Sequence, residues 1–529
     1  MEPAKRVRWQ GVAVVLGAVA SGILQALAFA PFGLADAAWF CLLPLLIALR
    51  FVEPRDAFRI GWLSGCTFWL ITLFWLTRVT YFGWSLLAMY CAIYHGLFAW
   101  GVALWLRRFG NERLVANMGL MLYGSLLWAG LEWLRSTFGT GFAWNPLGVS
   151  QYENLAIIQI AAWGGVYAVS ALMVWLNLAM GTTMLRYITL RGRWGRRAHP
   201  ELIAGFLLLA LVFTFGMKRA GVRGEAGVQL RAALVQTGIP QDEKWDQEKV
   251  DLIYRRLTET TLQALTTDPD LVIWPETALP DDVRSSPPSY ELVRNLATNG
   301  APILVGSMDT AWEDDGPRYF NSSFLFDERG VLIGQYDKIH LVAFGEFVPF
   351  RHALPFMKAM TPIEASFDAG TNVTVFSVPD SGARFSVLIC FEDTVAKLAR
   401  EAVKKGARLL VNQTNDAWFD PLWASWQHMA HSVLRAVENQ VPVVRSANTG
   451  VTCHIDSMGR IRSILEDHAG GTRFAGFRTA DVALAPPDMQ LTFYTRHGDT
   501  PVIIALVGAA LATQLLRKKR PGMPSLPSA

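Results

Sequence analysis

Phe385-Ser386-Val387-Leu388-Ile389-Cys390-Phe391-Glu392-Asp393 is a strand-length apolar run that stops at a cysteine and an acidic pair. Short apolar runs bounded by polar turns read as buried strands. The same pattern recurs on both sides of it. Leu271–Trp274 runs into Pro275-Glu276, Val331–Tyr336 into Asp337-Lys338, and Leu409–Asn412 into Gln413-Thr414-Asn415. Further strands are predicted at Val228–Gln236, Ile303–Val305, Ser323–Phe326 and Val441–Arg445. Helices are predicted at Gln247–Thr266, Tyr290–Asn299, Val395–Lys405 and Trp423–Glu438. Alternating strands and helices over residues 222–495 predict a layered α/β domain. Its chemically capable side chains fall just beyond strand ends, where α/β sites gather.

The rest of the chain has another character. Of 529 residues, 52% are hydrophobic and 17% charged, against about 25% charged in soluble domains. The mean hydropathy is positive, at +0.26. Apolar runs near 11–30, 37–51, 57–79, 83–106, 114–134, 156–185, 201–217 and 500–516 give about eight spans at roughly 20 residues each. Gly164-Gly165 marks a break within the sixth run. The expected organisation is a bundle of seven helices over 1–221, the α/β domain over 222–495, and a last span with a basic tail over 496–529. Lys5, Arg6 and Arg8 precede a run that also reads as a signal peptide. The further runs that follow favour a retained first helix.

Basic residues set the orientation. Lys5, Arg6, Arg8, Arg50, Arg55, Arg59, Arg107, Arg108, Arg113, Arg186, Arg191, Arg193, Arg196 and Arg197 cluster in alternate loops, and Arg517, Lys518, Lys519 and Arg520 follow the last run. Both termini are then cytoplasmic and 222–495 faces the periplasm of a bacterial inner membrane. Lys218, Arg219 and Arg223 run against this, but long domains cross largely regardless of charge. The net charge of +4 does not suggest a nucleic-acid partner. Among the five cysteines there is no CxxC pair, and neither an HExxH motif nor a glycine-rich nucleotide loop is present. No cofactor or metal is expected.

A cysteine attacks a carbonyl as its thiolate and needs a base or a cation beside it. No His with a partner Asn or Asp is obvious around Cys390. Glu276 suits the base and Lys338 the holder of thiolate and oxyanion, with a backbone N–H after Cys390 as second donor. Alone, each residue reads more plainly: Cys390 as a small buried hydrophobe, Glu276 and Lys338 as solvated charges. Their motif context changes the balance.

Trp274-Pro275-Glu276-Thr277, Tyr336-Asp337-Lys338-Ile339-His340-Leu341 and Ile389-Cys390-Phe391-Glu392-Asp393 together resemble the nitrilase, or carbon–nitrogen hydrolase, superfamily in order and spacing. Set before a last membrane run, they resemble the apolipoprotein N-acyltransferase family within it. Val235–Pro240 with Lys244-Trp245, Leu341–Pro349, Asn415–Phe419 and Asn448–Val451 fit as well. The resemblance implies a nitrilase-like αββα sandwich and a Glu276, Lys338, Cys390 triad. It also implies supporting roles for Glu346 and Glu392, and aromatic arms at Trp245 and Phe344 around an acyl pocket. Phe391 stands where some members carry Tyr, and Asp420 where Gly is common.

The implied reaction is ping-pong. An acyl chain passes from a phospholipid, with phosphatidylethanolamine the implied donor, to a thioester on Cys390. It then passes to the α-amine of a diacylglyceryl apolipoprotein. The segment Leu341–Ala365, with Phe344, Phe347, Phe350, Phe356, Met357 and Met360, suits a loop that dips into lipid. His340, Asn415 and Trp418 read as scaffold. The competing readings are a membrane-anchored amidase acting on small amides, and a transporter. The transporter reading, with a large periplasmic binding domain, explains the bundle but not the ordered Glu, Lys and Cys segments. Glu132 and Arg135, both near a span's end, are its few candidate intramembrane charges.

Overall fold

The structure is a computed structural model that describes residues 3–190, 199–221, 228–314, 316–347, 366–419 and 423–517. The chain divides into two compact units. One comprises Met1–Gln151, Val166–Gly216 and Asp499–Ala529, and the other Tyr152–Gly165 and Met217–Gly498.

The first unit is helical: it holds α1 (Pro3–Leu27), α2 (Leu43–Leu49), α3 (Pro54–Thr72), α4 (Tyr81–Phe109) and α5 (Leu114–Thr137), and, after the short α6 (Leu155–Ile158) of the second unit, most of α7 (Ala161–Leu190) and of α8 (Pro200–Gly221). Six helices among the described residues are long and apolar enough to cross a membrane, two fewer than expected. The shortfall lies in the second and third runs. The second is cut by a turn of 3-10 helix at Ala35–Trp39, which leaves α2 seven residues long. At 1.5 Å per residue that is about a third of a bilayer core. The third, α3, carries Arg55, Asp56 and Arg59 in its opening turns.

Within α7 the helix breaks at Gly164 and Gly165, whose φ values are −135° and +66°, as the sequence predicts. A Cβ on Gly165 would press against the Tyr494 ring, so both its conformation and its contact require glycine. Glu132 and Arg135 are buried and engaged locally. Glu132 Oε1 accepts from Trp128 Nε1 and the Leu147 N–H, and Arg135 Nη1 donates to the Phe142 and Trp144 carbonyls. They pin the loop after α5, so they no longer single out a transport path.

The second unit is an αββα sandwich. One sheet contains β1 (Gln229–Gln236), β2 (Leu271–Ile273), β3 (Ile303–Glu313), β4 (Gly316–Phe326) and β5 (Leu332–Asp337). The other contains β6 (Phe376–Ser377), β7 (Arg384–Ile389), β8 (Leu409–Thr414), β9 (Val443–Ala447), β10 (Cys453–Ile455) and β11 (Ile461–Ile464). The last strand, β12 (Gly476–Ala483), returns to pair antiparallel with β1, giving the orders β12-β1-β2-β3-β4-β5 and β11-β10-β9-β8-β7-β6. The helices of this unit are α9 (Val250–Leu265), α10 (Pro287–Ala297), α11 (Ala396–Lys404), α12 (Trp423–Asn439) and α13 (Phe493–His497), and α14 (Thr500–Arg517) follows in the first unit.

Alternation along each strand sorts side chains between the layers. Leu234, Ile273, Leu304, Phe385, Val387, Val411 and Val444 form the core between the sheets, while Val235, Val272, Val305 and Phe324 pack under α9 and α10. Fully burying each such side chain contributes about 1.5–3 kcal/mol. α9 turns Ile253, Leu257, Thr260, Thr261 and Ala264 inward at helical spacing, and Asp246 at its entry accepts the Glu248 N–H. Polar side chains also cross between the sheets. Ser446 Oγ donates to the Val235 and Ile273 carbonyls, and Gln413 Nε2 to that of Trp274 at 2.7 Å.

Candidate active site

β1, β2 and β3 run parallel, as do β7, β8 and β9, and β5 regains the direction of β3 after two antiparallel steps. Every strand that leads into a candidate residue therefore ends on the same side of its sheet. Glu276 follows β2, Lys338 follows β5, Cys390 follows β7 and Asn415 follows β8.

Glu276 and Lys338 are buried, with 6% and 1% of their surface exposed, and Lys338 Nζ lies 3.3 Å from Glu276 Oε1. Glu346 Oε1 takes the same ammonium at 2.7 Å, and Glu346 Oε2 accepts the Val342 N–H at 2.8 Å. Asn321 Nδ2 donates to both carboxylates, at 2.8 Å to Glu276 and 3.2 Å to Glu346. The second Glu276 oxygen accepts the Asn415 N–H at 2.9 Å. Glu276 thus has fixed donors on both oxygens. Its charge acts on the thiol of the partly buried Cys390.

The electrostatics follow from this packing. Burial pushes the Glu276 carboxyl up, but Lys338 and Lys244 outweigh it and hold the group below its ordinary range. Burial and the Glu276 charge push the Cys390 thiol well up, against the pull of Lys338. Lys338 stays charged because Glu346, Glu276 and Cys390 together overcome its burial. The resting pair is a neutral thiol beside a carboxylate. Transfer of the thiol proton to Glu276 removes the very charge that opposes the thiolate, so the two titrate as one system.

Strained backbone marks the same place. Thr277 and Cys390 have φ of +43° and +53°, a region that costs a non-glycine residue of order 1–3 kcal/mol. Gly306 in β3 allows the turn at Glu276: a Cβ there would strike the Pro275 carbonyl. Glu392, fully buried, ties two motif segments together. It accepts N–H groups from Ile339, His340 and Ile389 at 2.7–3.0 Å, and the Tyr336 hydroxyl. It therefore braces the Lys338 turn against the Cys390 turn and does not face Glu276. Burial lifts its carboxyl to about 7.

Among the aromatic candidates, Trp245 and Phe344 are 44% and 45% exposed, and Phe344 has φ of +64°. Phe391 is half-buried and stacks on His340, with ring centroids 6.0 Å apart. Residues 348–365, which carry Phe350, Phe356, Met357 and Met360, lie outside the described residues, as do Asp420, Arg191, Arg193, Arg196, Arg197, Arg223, Lys518, Lys519 and Arg520.

Three participants escape the sequence reading. Lys244 is buried and donates to the Glu276 carbonyl at 3.1 Å and to Thr277 Oγ1 at 2.7 Å. Burial brings its ammonium down to about 8, against Glu276 and Cys390. Asn321, on β4, bridges the two glutamates. Asn415, expected as scaffold, donates its N–H to Glu276 and its Nδ2 to Gln241, and its Oδ1 accepts from Asn448 Nδ2. Lys244 stands in a stretch matched by resemblance, but a lysine in a polar loop carries no signal of burial.

Residues 21–179 match the apolipoprotein N-acyltransferase N-terminal domain, and residues 231–486 match carbon-nitrogen hydrolase. The chain is 37% identical to an apolipoprotein N-acyltransferase of Geobacter metallireducens over 96% of this chain and 95% of that one. It is 31% identical to one of Allorhizobium ampelinum over 94% and 95%. Among solved structures it is similar to Nit3 of Saccharomyces cerevisiae, a nitrilase-superfamily member, at 20% identity and a TM-score of 0.36, covering 52% of this chain and 94% of that one.

Proposed function

The chain belongs to the apolipoprotein N-acyltransferase family, and from this premise we propose that Cys390 carries the acyl chain as a thioester between two lipid substrates. The observation that carries this reading is the convergence of Glu276, Lys338 and Cys390 at the strand ends of one αββα unit, with Lys338 Nζ 3.3 Å from Glu276.

In the first half-reaction Sγ of Cys390 attacks the ester carbonyl of a phospholipid, phosphatidylethanolamine being the proposed donor, and Glu276 takes the thiol proton. Lys338 holds the oxyanion. The carbonyl–oxygen bond breaks, the lysophospholipid leaves with the proton from Glu276, and the thioester remains. In the second half the α-amine of the diacylglyceryl cysteine of an apolipoprotein attacks that thioester. Glu276 takes the amine proton and returns it to the sulfur as the carbon–sulfur bond breaks. An N-acylated lipoprotein is released. Glu346 acts by anchoring Lys338, and Trp245 and Phe344 contact the acyl chains.

The six long apolar helices support a reaction in which both substrates keep their chains in the bilayer, since each exposed CH₂ costs about 0.8 kcal/mol. The distribution of basic loops supports a periplasmic catalytic unit and cytoplasmic termini. The test is intact mass spectrometry after incubation with phosphatidylethanolamine, beside Cys390→Ala. The expected result is an acyl mass that hydroxylamine removes, on the parent protein alone. A folded protein that gains no adduct and instead releases ammonia from small amides would overturn the reading in favour of an amidase.

A further inference from the structure

We infer that His428 is a positioning residue of this site: as an imidazolium it draws the Cys390 carbonyl toward the helix layer and so turns the Phe391 N–H toward Glu276 and Lys338 as an oxyanion donor. The inference rests on Cys390 being the nucleophile.

The layers supply the direction. In β8 and β9, Gln413 and Ser446 reach across to the other sheet. Their neighbours Asn412 and Arg445 must then point to the opposite face, where Arg445 meets Ser432 of α12. The Cys390 carbonyl oxygen is held from that same face. Asn412 Nδ2 donates to it at 3.0 Å and His428 Nε2, from α12, lies at 3.2 Å. The Cys390–Phe391 peptide is trans, the one cis bond among the described residues being Ala30–Pro31. In a trans peptide the C=O and the following N–H point in opposite directions. A carbonyl held toward α12 therefore sends the Phe391 N–H toward the sheet that supplies Glu276 and Lys338.

The charge of His428 follows from its partners. Nδ1 lies 2.9 Å from Asp416 Oδ1, and Nε2 lies 2.9 Å from Asp393 Oδ1 and 3.2 Å from the Cys390 carbonyl oxygen. Both ring nitrogens face acceptors, so both carry hydrogens. Every charge facing the ring is buried: Asp393 on the turn after Cys390, Asp416 after β8, and Arg445 on β9. Arg445 bonds Asp393 at 2.5 Å and approaches Asp416 at 3.5 Å. Two carboxylates and two cations balance, and Thr414 Oγ1 donates to Asp416 Oδ1 and Ser432 Oγ to Asp393 Oδ2. A positive φ at Cys390 needs such a brace, because an unheld backbone would relax out of it.

The test uses the full-length protein in nanodiscs with phosphatidylethanolamine labelled with ¹³C at its ester carbonyls and no acceptor. The acyl-enzyme thioester stretch is read by infrared difference spectroscopy, and single-turnover rates are read in parallel. His428→Gln is expected to raise the stretching frequency, as the carbonyl loses polarisation, and to slow acylation roughly 10- to 100-fold, a fraction of what losing an oxyanion donor costs. Asn412→Ser removes the other donor without changing charge, and is expected to shift the band in the same direction. It keeps the inference testable if His428→Gln does not fold. An unshifted band and unchanged rates in a folded variant overturn the inference. Cys390→Ala separates the two readings: if it still turns over lipid, the nucleophile assignment itself is wrong.

Discussion

The Lys338 ammonium lies closer to Glu346, at 2.7 Å, than to Glu276, at 3.3 Å. Glu346 is the anchor of the lysine, and Glu276 is left with the longer tie. Glu346→Gln keeps an acceptor but removes the charge, so Lys338 should shift toward Glu276 and tie up the proposed base. The expected outcome is a fall in acylation rate of roughly 10- to 100-fold with KM changed little. Single-turnover kinetics check it, and an unchanged rate would remove the anchoring role.

Lys244 helps Lys338 hold the Glu276 carboxyl below its ordinary range. A depressed carboxylate keeps its active, ionised form until pH falls through the depressed value. Lys244→Met removes one of the two cations, so the Glu276 pKa should rise and the acid limb of kcat/KM should move to higher pH by about one unit. A pH–rate profile that superimposes on the parent would show that Lys244 acts on structure alone.

Every partner of Glu392 among its hydrogen bonds is a donor. Glu392→Gln sets an amide NH₂ against at least one of these N–H or O–H groups. The cost is expected at about 1–3 kcal/mol, visible as a lower melting temperature. Because the brace joins the Lys338 and Cys390 turns, acylation should slow as well. Slow acylation without any loss of stability would argue for direct contact with substrate.

Asp393 and Asp416, outweighing burial, lift the His428 imidazolium to about 9. A group raised on folding stabilises fully below its unfolded value of about 6.5 and loses that contribution as pH climbs through the folded one, here about 3 kcal/mol in all. Lys244, lowered to about 8, acts oppositely above pH 8, where the folded state sheds its proton first. The melting temperature should therefore drop most clearly between pH 6.5 and 8, and His428→Gln should flatten that slope. Scanning calorimetry over pH 6–10 measures both.

Strands that end at the site are legible because their apolar runs stop abruptly at polar turns, as at Ile389-Cys390. β12 is not: in Gly476–Ala483 polar residues alternate without a dense apolar run, and the strand is fixed by pairing with β1, more than two hundred positions away. Motif resemblance picks out Glu276, Lys338 and Cys390. It passes over Asn321 and His428, whose importance lies in what faces them. Asn321 meets Glu276 across two strands, and His428 meets Cys390 from another layer. Spacing along a chain reports which side of its own element a residue takes, but not which residue of another element stands opposite. The membrane runs show a related limit. Hydropathy finds apolar stretches, yet the turn at Ala35–Trp39 that shortens α2 has no hydropathy signature.

The hydrogen bonds from Gln413 and Ser446 to the opposite sheet cluster at the strand ends beside Glu276 and Cys390. Apolar faces pressed together have no preferred alignment and tolerate sliding, whereas these bonds act as fixed rivets. Because Glu276, the proposed base, and Cys390, the proposed nucleophile, follow strands of different sheets, the rivets set the ruler for the distance between them. Changes at the far edges of the sandwich should therefore leave that distance as it is. A single change at a rivet, such as Ser446→Ala, would be felt as lost precision in a site it never touches.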